Sequence, residues 1–256
     1  MSGHAIIRFV KHSGSAAGIE AHHERLKDSY KSNPDIHTSM SESNIHLIEP
    51  GQRYSKEIKS RIESAKERNP KIVIKNNSVR FVDTLIAASP TYFFKMPDEH
   101  IKRFFATALK FFEEKVSEKN IVSAVIHMDE KTPHMHLVFV PLTEDDRLSA
   151  KDIIGGPAGC RKWQDEFYSK MVKAFPDLLR GKPTAETGRG HIPTNTLKAM
   201  SDFNNPDRKY AMVTELKTLR EYVGSIPNEL RKEIDEYAKE EKIRKIQEQD
   251  RTDRVR

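Results

Sequence analysis

Residues 121–142 read Ile121-Val-Ser-Ala-Val-Ile-His127-Met-Asp-Glu-Lys-Thr-Pro-His134-Met-His136-Leu-Val-Phe-Val-Pro-Leu142. Two apolar runs, 121–128 and 134–142, flank a short polar connector from Asp129 to Pro133, and this pattern predicts a β-hairpin. Just upstream, Pro97-Asp98-Glu99 opens a helix whose Ile101, Phe104, Phe105, Ala108, Phe112 and Val116 form a core-facing stripe. Further out, strands are expected over 79–88 and 5–10. An amphipathic helix is expected over 54–68, with Ile58, Ile62 and Ala65 on one face and Asn69-Pro70 as its stop. Downstream, Trp163, Phe167 and Met171 fall four apart and predict a helix over 160–174. Residues 19–30 read as helical or irregular, and 180–195, rich in Gly, Pro and basic residues, as a loop. Phe93 and Phe94 are expected in the core, and Cys160 as a small buried hydrophobe. The sum is an α+β fold: a central antiparallel sheet flanked by helices over residues 1–200, followed by a C-terminal helical extension over 201–256.

Composition narrows the class. The 256 residues carry 44 Lys+Arg against 38 Asp+Glu, a formal net charge of +6. No run of about 18 apolar residues exists, which argues against a membrane span. The apolar stretch near Met1 is too short for a secretory signal, and the single Cys160 cannot form an internal disulfide, so a cytoplasmic protein is expected. Residues 1–90 hold 14 basic and 10 acidic side chains, which is four of the six excess charges and a weak pointer to a polyanionic partner. Residues 207–256, with 13 basic and 12 acidic, are dense in charge yet nearly balanced, as in a solvated helix.

The chemistry concentrates in histidines. On a strand, positions i and i+2 share a face, so His134 and His136 point together while Met135 and Leu137 point to the other, buried face. His127 ends the preceding strand, and the hairpin brings it alongside. Three imidazoles converging from two strands make a nitrogen-ligated metal site with positions open to substrate, able to polarise a phosphoryl oxygen. Asp129 and Glu130 in the connector stand ready either to ligate or to orient a histidine from behind. A second cluster, Glu20-Ala-His22-His23-Glu24-Arg25, reads by itself as a charged surface turn. It also contains what a phosphoryl-transfer site needs: a neutral imidazole as nucleophile and an arginine for phosphate. Leu148-Ser149-Ala-Lys151 and the stretch from Arg180-Gly-Lys182 to Arg189-Gly-His191 are loops of the kind that cradle phosphates.

The stretch from His127 through Asp129, Glu130, Thr132, Pro133 and His134 to His136 resembles the signature of the MobV (Mob/Pre) relaxases, members of the His-hydrophobe-His endonuclease class. The block His22-His23-Glu24-Arg25, followed by Asn33-Pro34-Asp35, resembles the family's His-Asn-Glu-Arg block, with His23 in place of Asn. Leu148-Ser149-Ala-Lys151 and Arg180-Gly-Lys182 … His191 follow in the expected order, so the resemblance covers roughly residues 5–200. It implies a DNA relaxase that nicks one strand at an origin of transfer by transesterification and stays linked to the 5′ phosphate. The implied metal is manganese, with magnesium as the alternative, on His127, His134 and His136. The implied catalytic residues are His22, forming a phosphoramidate, and Glu130, with His23 and Tyr30 as rival nucleophiles. Arg25, Ser149, Lys151, Lys182, Arg189 and His191 are the implied DNA contacts. The implied partners are origin DNA and a second copy through C-terminal helices. Two other readings compete: a rolling-circle replication initiator or transposase of the same chemistry, and a metal-stabilised DNA-binding regulator.

Overall fold

The computed structural model describes residues 3–30, 33, 35–94 and 96–181. In chain order these form β1 (Gly3–His12), α1 (Ala17–His23), β2 (Ile45–Ile48), α2 (Tyr54–Arg68), β3 (Phe81–Ala88), α3 (Pro90–Phe93), α4 (Asp98–Val116), β4 (Ile121–His127), β5 (His134–Phe139), α5 (Ala150–Ile154), α6 (Pro157–Ala174) and β6 (Leu178–Arg180). The strands make one six-stranded sheet in the order β2-β4-β5-β3-β1-β6. Every pairing is antiparallel except β1 with β6, so the expected antiparallel sheet is a mixed one through its last, three-residue strand. No helix among the described residues is long and apolar enough to cross a membrane. The expected extension over 201–256, with its dimer contact, lies outside the described residues.

The sheet separates two cores, and strand alternation decides what enters each. On one face Met135, Leu137 and Phe139 of β5 join Val82 and Ile86 of β3 and the Phe104, Phe105 and Phe112 stripe of α4, sealed by Trp163, Phe167 and Met171 of α6. On the other face Val138 and Val140 join Phe81 and the Tyr54, Ile58, Ile62 and Ala65 stripe of α2. His134 and His136 continue this second face toward the hairpin end. The register slips between Ile121 and Ser123, where β4 carries one residue more than β5. That bulge inverts the alternation of β4: Ile121 faces the α4 core, and so do Ala124 and Ile126, which places His127 on the opposite face, directly across from His134. Without it, His127 would share the face of Ile121.

Two expectations about burial are corrected. Phe93 is buried in the core, but Phe94 is 60% exposed, because the single turn of α3 ends at Phe93 and the chain leaves the core there. Cys160 is exposed, since the first turn of α6 lies outside the packed layer and the buried stripe begins only at Trp163.

Candidate active site

The hairpin delivers three imidazoles to the open end of the α2-side face. Ring centroids lie 5.2 Å apart for His127–His134, 5.0 Å for His127–His136 and 5.1 Å for His134–His136, nearly an equilateral triangle. A metal–imidazole bond of about 2.1 Å puts a ring centroid roughly 3.3 Å from the ion, so three ligands at bond angles between right-angled and tetrahedral stand roughly 4.6–5.4 Å apart. The observed triangle fits that window. The outward nitrogens also fit. His127 Nε2 lies 2.9 Å from the His23 carbonyl and His134 Nδ1 lies 2.9 Å from the Thr132 carbonyl. A carbonyl only accepts, so these nitrogens carry the ring protons and leave lone pairs on His127 Nδ1 and His134 Nε2. His127 Nδ1 is buried and has no hydrogen-bond partner among the described residues, as expected of a nitrogen that awaits a cation. Burial pushes His127 and His136 well below the ordinary histidine value, and their imidazole neighbours and Arg25 push the same way, so both rings are neutral and could each offer a lone pair to a cation. Overlapping sets bring ligand atoms within 4.8 Å of one another: His22 with His127 and His136, His127 with Glu130 and His134, and His23 with Asp83 and His136.

Glu130 Oε1 sits 3.8 Å from His127 Nδ1 and 3.7 Å from His134 Nε2, between the two lone pairs. Its Oε2 accepts from Asn33 Nδ2 at 2.8 Å, while Oε1 accepts from Arg25 Nη2 at 2.8 Å. Arg25 follows α1 in the left-handed backbone region, at φ 50°. This turn sends its side chain inward, where the guanidinium binds both oxygens of Asp129 at 2.8 Å and retains only 6% of its exposure. The fork expected to meet DNA phosphate is thus engaged by the two connector carboxylates.

The short α1 lays His22 and His23 against the hairpin on different sides. The His22 ring stands 5.5 Å from His127 and 5.2 Å from His136, is only partly buried, and has Arg25 Nη1 3.3 Å from its Nδ1. Burial lowers its pKa and the Arg25 charge lowers it further. His23 is 1% exposed, stacked on His136 with centroids 4.1 Å apart. The Tyr30 hydroxyl donates to the Ala21 carbonyl at 2.7 Å and its ring lies 6.0 Å from His22. α1 itself is anchored from below, where Glu24 accepts from Tyr54 Oη at 2.6 Å and pairs with His46 Nε2 at 2.9 Å.

Ser149 caps α5, its Oγ accepting from Asp152 N, and its backbone N–H bonds Pro141 beyond the far end of β5. At about 3.3 Å per residue that is roughly 23 Å from His134 along the chain, so Ser149 and the exposed Lys151 are not beside the histidines. Lys182, Arg189 and His191 lie outside the described residues. Asp83, Tyr54 and His46 were not singled out from the sequence, and Asn33 entered only as part of the N-terminal block, with no role given to it. For Asp83 a signal exists: it is the one charged residue in the strand Phe81–Ala88.

A largely antiparallel sheet that presents His134-Met135-His136 on one strand, with His127 paired beside it and α1 packed across the cluster, has the architecture of the His-hydrophobe-His class. The chain belongs to the Mob_Pre family: the family model, described as plasmid recombination enzyme, matches residues 1–199. It is 33% identical over 207 residues to the plasmid recombination enzyme type 1 of Staphylococcus aureus, which covers 80% of this chain and 51% of that protein. It is 34% identical over 253 residues to a plasmid recombination enzyme of Bacillus thuringiensis, covering 97% of this chain and 54% of the relative. The chain thus spans about half the length of the curated relatives it matches. Among solved structures, it superposes with a TM-score of 0.68 on the manganese-bound MobM relaxase domain in complex with pMV158 oriT DNA, at 28% identity over 76% of this chain and 97% of that one.

Proposed function

We propose that this protein is a relaxase that nicks one strand at the origin of transfer of a plasmid or mobile element, and later rejoins it, to start mobilisation in the cytoplasm. Residues 1–200 are assigned this nicking and joining, and 201–256 the appended segment through which copies would pair. The observation that carries the reading is the position of His22: a neutral, partly accessible imidazole about 5 Å from two of three converging histidines. Support comes also from the relatives, one of which binds oriT DNA and manganese.

In this reading a His22 ring nitrogen attacks the scissile phosphorus, an N–P bond forms, and the P–O3′ bond breaks. The 5′ phosphate stays on the protein, and the 3′ oxygen departs and takes up the proton that the attacking imidazole ring gives up, becoming a hydroxyl. The reverse attack by that hydroxyl rejoins the strand, so no energy source is needed. His127, His134 and His136 would hold a divalent cation, manganese being favoured over magnesium by the nitrogen donors, and such a cation neutralises charge on the phosphoryl oxygen. Glu130, held by Arg25 and Asn33, keeps a carboxylate beside the two lone pairs. Burial alone would raise the Glu130 pKa, but His134, Asn33 and Arg25 lower it, so it remains an anion at neutral pH. Arg25 acts through Glu130, Asp129 and His22. Lys151 is assigned to DNA some nucleotides from the cleaved bond, and Lys182, Arg189 and His191 are proposed as further DNA contacts.

The metal requirement gives the direct test. Chelation of the purified protein should lower nicking of supercoiled origin plasmid by at least about a hundredfold, the effect of losing several kcal/mol of charge stabilisation, and manganese should restore it. Nicking that survives exhaustive chelation would remove the three histidines from the chemistry.

A further inference from the structure

Of the three histidines on the hairpin, two have their outward nitrogen on a backbone carbonyl. The third, His136, faces no carbonyl with its Nδ1. Instead Asp83 Oδ1 lies 3.5 Å away, and the same oxygen lies 3.4 Å from His23 Nε2. All three atoms are buried and none has a hydrogen-bond partner within the usual distance. Such atoms are costly to leave unsatisfied, and here each has the others a few tenths of an ångström beyond contact. Strand register explains the meeting. β3 pairs with β5 so that Leu85 faces His136 and Asp83 faces Val138, which makes Asp83 the diagonal neighbour of His136 on the same face. α1 then lowers His23 onto the His136 ring from above, with the two rings inclined by 30°.

We propose that Asp83 is a positioning residue for His136. Its carboxylate accepts from His136 Nδ1–H and from His23 Nε2–H, fixing the His136 ring in the tautomer whose Nε2 lone pair faces the three-histidine centre. His23 acts as the second donor that keeps Asp83 aimed at His136, which gives this buried histidine a use that does not require it to meet DNA. The carboxylate is mostly sequestered, with 13% of its side chain exposed, and His12 acts on it from the neighbouring strand β1. The arrangement completes a pattern in which each of the three rings is fixed from behind by an acceptor: the carbonyls of His23 and Thr132 for two, a carboxylate for the third.

This inference rests on the proposed metal centre, and its test reads metal and tautomer separately. Histidine-labelled protein without metal is examined by long-range proton–nitrogen NMR, and manganese binding is measured by calorimetry, for wild type, Asp83→Asn and Asp83→Ala. The expected wild-type spectrum assigns His136 to the Nδ1-protonated tautomer. Both variants should lose that assignment and bind manganese 10–100-fold more weakly. Asp83→Asn, close in volume, keeps the test readable if Asp83→Ala does not fold. A His136 tautomer and a manganese affinity unchanged in Asp83→Asn would overturn the inference and leave the proposed function standing. A wild-type protein that binds no manganese would overturn both.

Discussion

His22→Ala is expected to abolish the covalent protein–DNA adduct and lower nicking of origin DNA by at least about 10⁴-fold, the scale on which removal of a nucleophile acts. Binding of the same DNA should stay within a few-fold, because the Arg25 guanidinium that reaches the ring is held independently by Asp129 and Glu130. His23→Asn should still form the adduct. The difference follows from exposure: His22 is partly accessible, while His23 is 1% exposed and packed against both His136 and Asp83. Tyr30→Phe should likewise leave the adduct in place, since its hydroxyl is occupied by the Ala21 carbonyl. Mass spectrometry of denatured protein after reaction with an origin oligonucleotide checks all three at once. An adduct on His23 or Tyr30, or undiminished nicking by His22→Ala, would end the assignment.

The same residue predicts the acid limb of the reaction. Attack requires the unprotonated ring. Burial, then Arg25, lower its pKa below the ordinary histidine value of about 6.5, so the proton that blocks attack binds only at lower pH. The adduct should therefore form undiminished as pH falls through 6.5, and decline only below it.

Much of this site was legible in the residues because period-2 alternation needs no tertiary information. His134 and His136 share a face for the same reason that Met135 and Leu137 share the opposite one. The helices over 54–68 and 98–116 were legible through their aliphatic and aromatic stripes. What stayed hidden depends on non-local events. Simple alternation from Ile121 would have turned His127 into the α4 core, and the bulge before Ser123 that rescues it leaves no local signature. The strands β2 and β6, four and three residues long, are too short to carry a period. Asp83 was visible as a charge in an apolar strand, but its partners come from α1 and β5, far away in sequence. The role of Arg25 was hidden for a different reason: an arginine beside a nucleophile serves phosphate or carboxylate equally well, and only the inward turn at φ 50° decides between them.

That turn has a large energetic consequence, and Arg25→Met measures it. The guanidinium is the counter-charge for Asp129, whose side chain is fully buried, and for Glu130, at 11% exposure. Removing it leaves two buried carboxylates with hydrogen bonds from Ser41 and Asn33 but no cation, a loss of about 3–5 kcal/mol in comparable buried pairs. For a domain of this size that corresponds to roughly 10 °C in melting temperature. The pH dependence should separate the charge effect from simple loss of packing. In the wild type, burial would raise the Asp129 pKa, but the hydrogen bonds from Arg25 and Ser41 and the Arg25 charge bring it well below the usual carboxylate range. Its folded value is thus under its unfolded value near 3.9, so its contribution is complete above that pH and is lost as pH falls through the folded value. In Arg25→Met burial still raises both values and the bonds from Ser41 and Asn33 still lower them, but the Arg25 contributions are gone, so both folded carboxylates take up protons at higher pH than in the wild type. The variant should then gain stability relative to wild type as pH is lowered from 7 toward 4, because protonation relieves the uncompensated charge. Urea unfolding at pH 7, 5 and 4 reads this directly. A gap of several kcal/mol at pH 7 that closes toward pH 4 identifies Arg25 as the counter-charge that holds the connector between β4 and β5 to α1. A gap constant across that range would mean that the arginine contributes by packing alone.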